Sequence, residues 1–198
     1  MNPLLQRLQP YPFERLRQLF ATVVPNAAYR PISLGIGEPR HATPALLKDA
    51  LCAAVQSPDG GLASYPATGG TPALKNACVD WLQRRYGLDA GPEHVLPVLG
   101  SREALFALTQ TVVNPRAFAD GGEPYVVCPN PFYQNYEGAA YLAGAQPWFA
   151  PSDPARNFGV DWAQVPESVW ARTQLLFTCS PGNPTGAVMP LEEWKTLF

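Results

Sequence analysis

The stretch Leu175-Leu176-Phe177-Thr178-Cys179-Ser180-Pro181-Gly182-Asn183-Pro184-Thr185-Gly186 decides the reading of this chain. Leu175 to Cys179 is a short apolar run of the length of a buried strand. Seven residues with two prolines, two glycines and an asparagine follow it at once. Such a segment fixes an unusual backbone where a strand ends. In an open α/β sheet, ligands sit beyond the carboxyl ends of strands. The Asn183 amide both donates and accepts, which suits a phenolic oxygen. A rigid turn with asparagine as turn former is the plainer alternative.

The same pattern recurs upstream. Val95 to Leu99, Tyr125 to Cys128 and Pro147 to Ala150 are further strand-like runs. Pro97 marks the first as an edge or a bulge. Amphipathic segments separate the runs. Phe13, Leu16, Leu19 and Phe20 share a face within 12–24. Thr43 as N-cap and Pro44 at N1 open a helix carrying Leu46, Leu47, Ala50, Leu51 and Ala54, which Gly60-Gly61 ends. Thr71-Pro72 opens another, through Leu74, Ala77, Cys78, Trp81 and Leu82, and Gly87 stops it. A helix after Gly100-Ser101 turns Ala104, Leu105, Leu108 and Val112 inward. Another runs through Tyr136 and Ala140, and a last one starts at Pro190. Strands alternating with helices predict a three-layer α/β domain with a mostly parallel sheet.

Composition removes whole classes of function. The 198 residues carry a formal charge of -2, so nothing suggests a nucleic-acid or anionic-membrane partner. Charged residues are 15%, below the usual share of about 25%, which points to extensive burial. Cys52, Cys78, Cys128 and Cys179 are far apart and not near His41 or His94, which argues against a metal site or a disulfide framework. No run suits a signal peptide or a bilayer span, so a reduced, cytoplasmic protein is expected. The 23 prolines, against a usual share of about 5%, stand at element borders and mark sharp turns. The helix from Pro190 would leave Leu191, Trp194, Leu197 and Phe198 uncovered, which reads as a chain cut short.

Four more turns carry chemistry-bearing residues. Gly100-Ser101-Arg102 joins a strand end to a helix start, where free N–H groups favour an anion. Ser101 adds a hydroxyl and Arg102 a charge, although an ordinary N-cap has the same look. Asn130-Pro131-Phe132-Tyr133-Gln134-Asn135-Tyr136 offers an aromatic that could lie on a planar ring, or only core aromatics. Gly37-Glu38-Pro39 and Ser64-Tyr65-Pro66 each read alone as plain turns. Neither a Rossmann glycine fingerprint nor a P-loop is present, which puts a nucleotide-binding domain last.

Taken in order and spacing, these turns resemble the fold type I aminotransferases of the aspartate aminotransferase superfamily, from Pro10-Tyr11-Pro12-Phe13 to Phe198. The resemblance covers about the first half of such a chain. It implies pyridoxal 5'-phosphate (PLP) as cofactor and amino acid and 2-oxo acid substrates. Residues 1–40 would be an N-terminal arm and small-domain segment, and 41–198 the first part of the cofactor-binding large domain. Gly100, Ser101 and Arg102 match the phosphate loop. Tyr133 matches the ring-stacking aromatic, where many members have tryptophan. Asn183 matches the partner of the ring's phenolic oxygen, and Gly37 the glycine meeting the substrate carboxylate. Tyr65 matches the tyrosine reaching the neighbouring subunit's phosphate, which implies a homodimer. Lys48, Lys75 and Lys195 do not match the lysine that holds the cofactor, so no catalytic residue is assigned within the chain. The nearest members act in lysine biosynthesis, implying glutamate and N-succinyl-2-amino-6-oxopimelate as the substrate pair. A PLP-dependent C–S lyase, a non-catalytic truncated product and a PLP-binding sensor domain are the other readings. The resemblance also predicts cis peptide bonds at Asn183–Pro184 and Asn130–Pro131, which proline makes inexpensive.

Overall fold

The computed structural model describes residues 1–58 and 62–198. The expected stop at Gly60-Gly61 lies outside them. Two compact units result: Met1–Glu14 together with Val98–Phe198, and Arg15–Pro97.

The first unit is built on a sheet of four strands among the described residues. They are β1 (Tyr125–Asn130), β2 (Gln146–Asp153), β3 (Gly159–Val160) and β4 (Thr173–Leu176), in the order β3-β2-β1-β4. β1 runs parallel to β2, with Val127 opposite Trp148, and parallel to β4, with Val127 opposite Leu176. Only the short β3 is antiparallel. β1 is the centre because it is apolar on both sides. Val126 and Cys128 enter a core with Tyr136, Ala140 and Phe177, while Val127 enters another with Ala150, Val160, Trp162 and Val169. This is strand alternation with both faces covered. Val126 and Val127 are fully buried, and each burial stabilises the fold by about 1.5–3 kcal/mol.

Helices α4 (Ser101–Val112) and α5 (Asn135–Leu142) bear on the first core. Gln110 Nε2 on α4 donates to Ala139 O on α5 at 3.0 Å. α6 (Glu167–Trp170) and α7 (Leu191–Leu197) bring Val169 and Leu197 to the second core. At the N-terminus, a 3-10 turn at Pro3–Arg7 docks on α5, held by a two-bond fork from Arg7 to Glu123 at 2.7 and 3.1 Å.

The second unit contains α2 (Ala45–Gln56) and α3 (Pro72–Tyr86). The expected chemistry of α3 is present: Thr71 Oγ1 accepts from Leu74 N at 3.3 Å, and Gly87 ends the helix in the left-handed region at φ 66°. α1 (Pro12–Phe20) spans the division between the units.

Several expectations need correction. Val95 to Leu99 is not a strand: Pro97 has no N–H to give a ladder, and no strand lies alongside among the described residues. Thr43 is not an N-cap. Pro44 holds that place with extended ψ of 140°, and its carbonyl accepts the first helical bonds from Leu47 and Lys48. Leu108 and Val112 do not turn fully inward, being 48% and 43% exposed. β4 ends at Leu176, although Phe177 N still donates to Val127 O at 2.9 Å. No helix among the described residues is long and apolar enough to cross a membrane, and no cluster there suits a metal ion.

Candidate active site

Parallel pairing puts the carboxyl ends of β1, β2 and β4 on one edge of the sheet. The turns after β1 and β4 are the two singled out from sequence. Both expected cis bonds are present, at Asn130–Pro131 and Asn183–Pro184, and Ser180–Pro181 is cis as well.

The third turn, before α4, is tied to the first. Arg102 Nε donates to Tyr133 Oη at 2.6 Å, and its guanidinium carbon lies 5.7 Å from the Tyr133 ring centroid. Asn135 Nδ2 donates to Arg102 O at 2.8 Å. The Tyr133 phenol first, and Tyr11 after it, raises the Arg102 guanidinium above its ordinary value. Gly100 stands at φ 121° and ψ 150°, backbone that is essentially reserved for glycine. The first bond of α4 runs from Ala104 N to Gly100 O at 3.2 Å. The N–H groups of Ser101, Arg102 and Glu103 therefore have no intrahelical acceptor and suit a phosphate. The donor set present thus fits a phosphorylated, flat, aromatic cofactor.

The turn after β4 is closed on itself. Gly182 N donates to Ala187 O at 2.8 Å, Gly186 N to Gly182 O at 2.7 Å, and Met189 N to Ser180 Oγ at 3.0 Å. Asn183 borders a cavity of about 610 Å³ at the same edge, lined also by Tyr136, Cys179, Asp161, Trp162 and Glu193. Ser101 and Tyr133 do not line that cavity. The link between the two places is Tyr136. Its ring meets Tyr133 edge-on at 5.7 Å and stacks on Phe177 at 4.2 Å. Burial above all, then Cys179, Cys128 and Tyr133, pushes the Tyr136 phenol up to about 12, so it stays protonated.

The structure thus joins Gly100, Ser101, Arg102 and Tyr133 directly, and reaches Asn183 through Tyr136. Gly37 and Tyr65 belong to the second unit. Nothing lies within 4 Å of a Cβ built at Gly37, and Tyr65 is fully exposed. Sequence reasoning missed Tyr11, Tyr136 and the bond from Trp162 Nε1 to Glu193 Oε1 at 3.0 Å. Tyr11 and Tyr136 stood inside motifs already singled out. The tryptophan had no local signal.

A profile described as aminotransferase class I and II matches residues 29–198. The chain belongs to that family. This aminotransferase chain is 34% identical over 189 residues to the LL-diaminopimelate aminotransferase of Moorella thermoacetica, covering 95% of itself and 46% of the relative. It superposes on a crystal structure of an aminotransferase from Neisseria meningitidis Z2491 with a TM-score of 0.88 at 46% identity, covering all of itself and 48% of that chain. For the N-succinyldiaminopimelate aminotransferase of Mycobacterium tuberculosis the TM-score is 0.72 at 32% identity, with 83% and 41% covered. The aminotransferase chain spans about half the length of the curated relatives it matches. Members of the family depend on pyridoxal phosphate.

Proposed function

We propose that the complete protein is a PLP-dependent aminotransferase of lysine biosynthesis, exchanging the amino group between glutamate and N-succinyl-2-amino-6-oxopimelate. One observation carries the reading: the open N-terminus of α4 is bonded through Arg102 to Tyr133 at the sheet edge where the Asn183 turn also stands. The names of the relatives support lysine biosynthesis and divide between free and succinylated diaminopimelate.

Each residue then has a task. The N–H groups of Ser101 to Glu103, with the Ser101 hydroxyl, hold the phosphate without a mobile counter-ion. Tyr133 lies against the face of the ring. The Asn183 amide bonds the phenolic oxygen and holds the ring in one orientation. Gly37 lets the substrate carboxylate approach the backbone. Tyr65 serves the phosphate of a second subunit, which makes the enzyme a homodimer with shared sites. When bound, PLP supplies an electron sink for the bond broken at the substrate's α-carbon. Residues 1–40 act as arm and small-domain segment, and 41–198 as part of the large domain. The lysine that holds the cofactor comes from beyond residue 198. Lys195 is paired with Glu192 at 2.7 Å, and Lys48 and Lys75 lie on α2 and α3 of the second unit.

The test is turnover by the full-length protein. LL-diaminopimelate and its N-succinyl derivative are offered as amino donors to 2-oxoglutarate, and glutamate is measured. The succinylated donor should be preferred by at least about tenfold in kcat/KM, equivalent to about 1.4 kcal/mol. Preference for the free amino acid overturns the acyl assignment. No turnover of either overturns the lysine-pathway reading.

A further inference from the structure

Arg102 is held at two points by one short segment. Its guanidinium meets Tyr133 through the 2.6 Å bond from Nε, and its backbone carbonyl accepts from Asn135 Nδ2 at 2.8 Å. Tyr133 stands in the turn after β1, and Asn135 is the first residue of α5. An asparagine at a helix start ordinarily turns back to accept from nearby backbone N–H groups. Here Gln134 caps α5 with no side-chain bond, and the Asn135 amide reaches across to α4, 33 residues away in sequence. A carbonyl has two lone pairs, so Arg102 O can take this bond and keep its helical one. Two further bonds fix α4, both toward its far end. Gln110 Nε2 donates to Ala139 O at 3.0 Å and, just past the helix, Asn114 N donates to Gln174 Oε1 at 2.7 Å. Leu105 packs on the first core, but an apolar contact has no direction of its own.

We propose that Asn135 is a positioning residue for the cofactor, whose amide holds the first turn of α4 at the spacing from the Tyr133 ring that one PLP molecule spans. The inference rests on the PLP reading above. PLP carries its phosphate on a short arm from the ring. Both ends are satisfied together only when the N–H groups of Ser101 to Glu103 and the Tyr133 ring stand at a matching distance. Arg102 and Gln110 are about 12 Å apart along α4, at about 1.5 Å per residue. A tilt of about 5° about Gln110 would therefore carry the first turn by about 1 Å, enough to spoil hydrogen bonds to a fixed anion. The Tyr133 bond resists such a tilt poorly, because the Arg102 side chain is long and rotatable. The Asn135 amide is short and grips the α4 backbone itself. Asn135 touches neither the phosphate nor the ring in this scheme, so it acts on the distance between them.

The experiment compares PLP with its two halves: pyridoxal, which is the ring without phosphate, and inorganic phosphate. Apo full-length protein is titrated with PLP and with pyridoxal, and Kd is read from protein fluorescence. Inorganic phosphate is read by competition with PLP. Wild-type protein should bind PLP more tightly than pyridoxal. If it does not, the PLP reading itself fails. Given that preference, Asn135→Ala should raise Kd for PLP roughly three- to tenfold, the worth of one hydrogen bond, and leave the constants for pyridoxal and inorganic phosphate unchanged. Each half fits its own part of the site, and only the joined molecule feels the distance between the parts. Asn135→Ser keeps a side chain suited to a helix start but too short to reach Arg102 O, and should lose as much as Asn135→Ala. Unchanged PLP affinity in either variant overturns the proposal. An equal loss for pyridoxal or for inorganic phosphate also overturns it, because damage to one half of the site then explains the effect.

Discussion

The Tyr136 ring lies flat against Phe177, with centroids 4.2 Å apart and planes 8° apart. Tyr136 stands in the first turn of α5, and Phe177 stands one residue past β4. The pair therefore locks the turn after β1 to the turn after β4. Phe177→Ala should destabilise the full-length protein by about 3–5 kcal/mol, from lost burial and the cavity left behind. Denaturant unfolding measures this. A cost under about 1 kcal/mol would mean that the stack does not hold the two turns together.

Cys128 gives a second expectation. Burial, and then the charge of Glu137, pushes its thiol from an ordinary 9.0 up to about 12. The folded state keeps this proton longer than the unfolded chain does. Its contribution to stability is therefore full below pH 9 and is lost as pH rises toward about 12. Cys128→Ala should flatten the alkaline fall. In native protein, a thiol reagent should reach exposed Cys52 and Cys179 and leave buried Cys128 unlabelled. Early labelling of Cys128 would contradict the packing of β1.

At acid pH the sign reverses. Arg172 grips Asp120 by two bonds of 2.7 and 3.0 Å, and this grip, with the Gly122 N–H, lowers the Asp120 carboxyl from 3.8 to about 2. The stability from this group is present above pH 3.8 and is lost as pH falls through about 2. Asp120→Asn should remove that part of the acid slope. An unchanged slope in unfolding curves from pH 5 to 2 would assign it elsewhere.

Much of this fold was legible because its signals are local. Thr71 and Gly87 bracket α3 through backbone rules that act within four residues. The apolar run from Tyr125 to Cys128 could only be a strand buried on both sides. Val95 to Leu99 misled for the opposite reason: a strand needs a neighbour, and apolar residues around Pro97 do not supply one. The site was legible as a set of turns, not as an arrangement. Nothing in the sequence said that Arg102 would bond Tyr133, 31 residues away, or that Tyr136 would stand between Tyr133 and Phe177. The cavity beside Asn183 drew in Trp162 and Glu193 from segments with no motif.

Gly100 and Gly70 separate function from folding. Both hold positive φ, at 121° and 81°. A Cβ at Gly70 would come within 2.5 Å of Pro97 Cγ, and one at Gly100 within 3.2 Å of Glu103 Oε2. Each substitution by alanine should cost about 1–3 kcal/mol of stability. Gly100→Ala alone should also weaken PLP binding, because it moves the first N–H groups of α4. Titration of both variants with PLP checks this, and equal affinities would remove Gly100 from the cradle.

The most direct measurement is a crystal structure of the full-length protein with PLP bound. The phosphate should lie on the N–H groups of Ser101 to Glu103, the Tyr133 ring against the pyridine face, and the Asn183 amide on the ring oxygen. A cofactor seated with its phosphate away from α4, or with Asn183 turned toward Trp162 and out of reach of the ring, would contradict it.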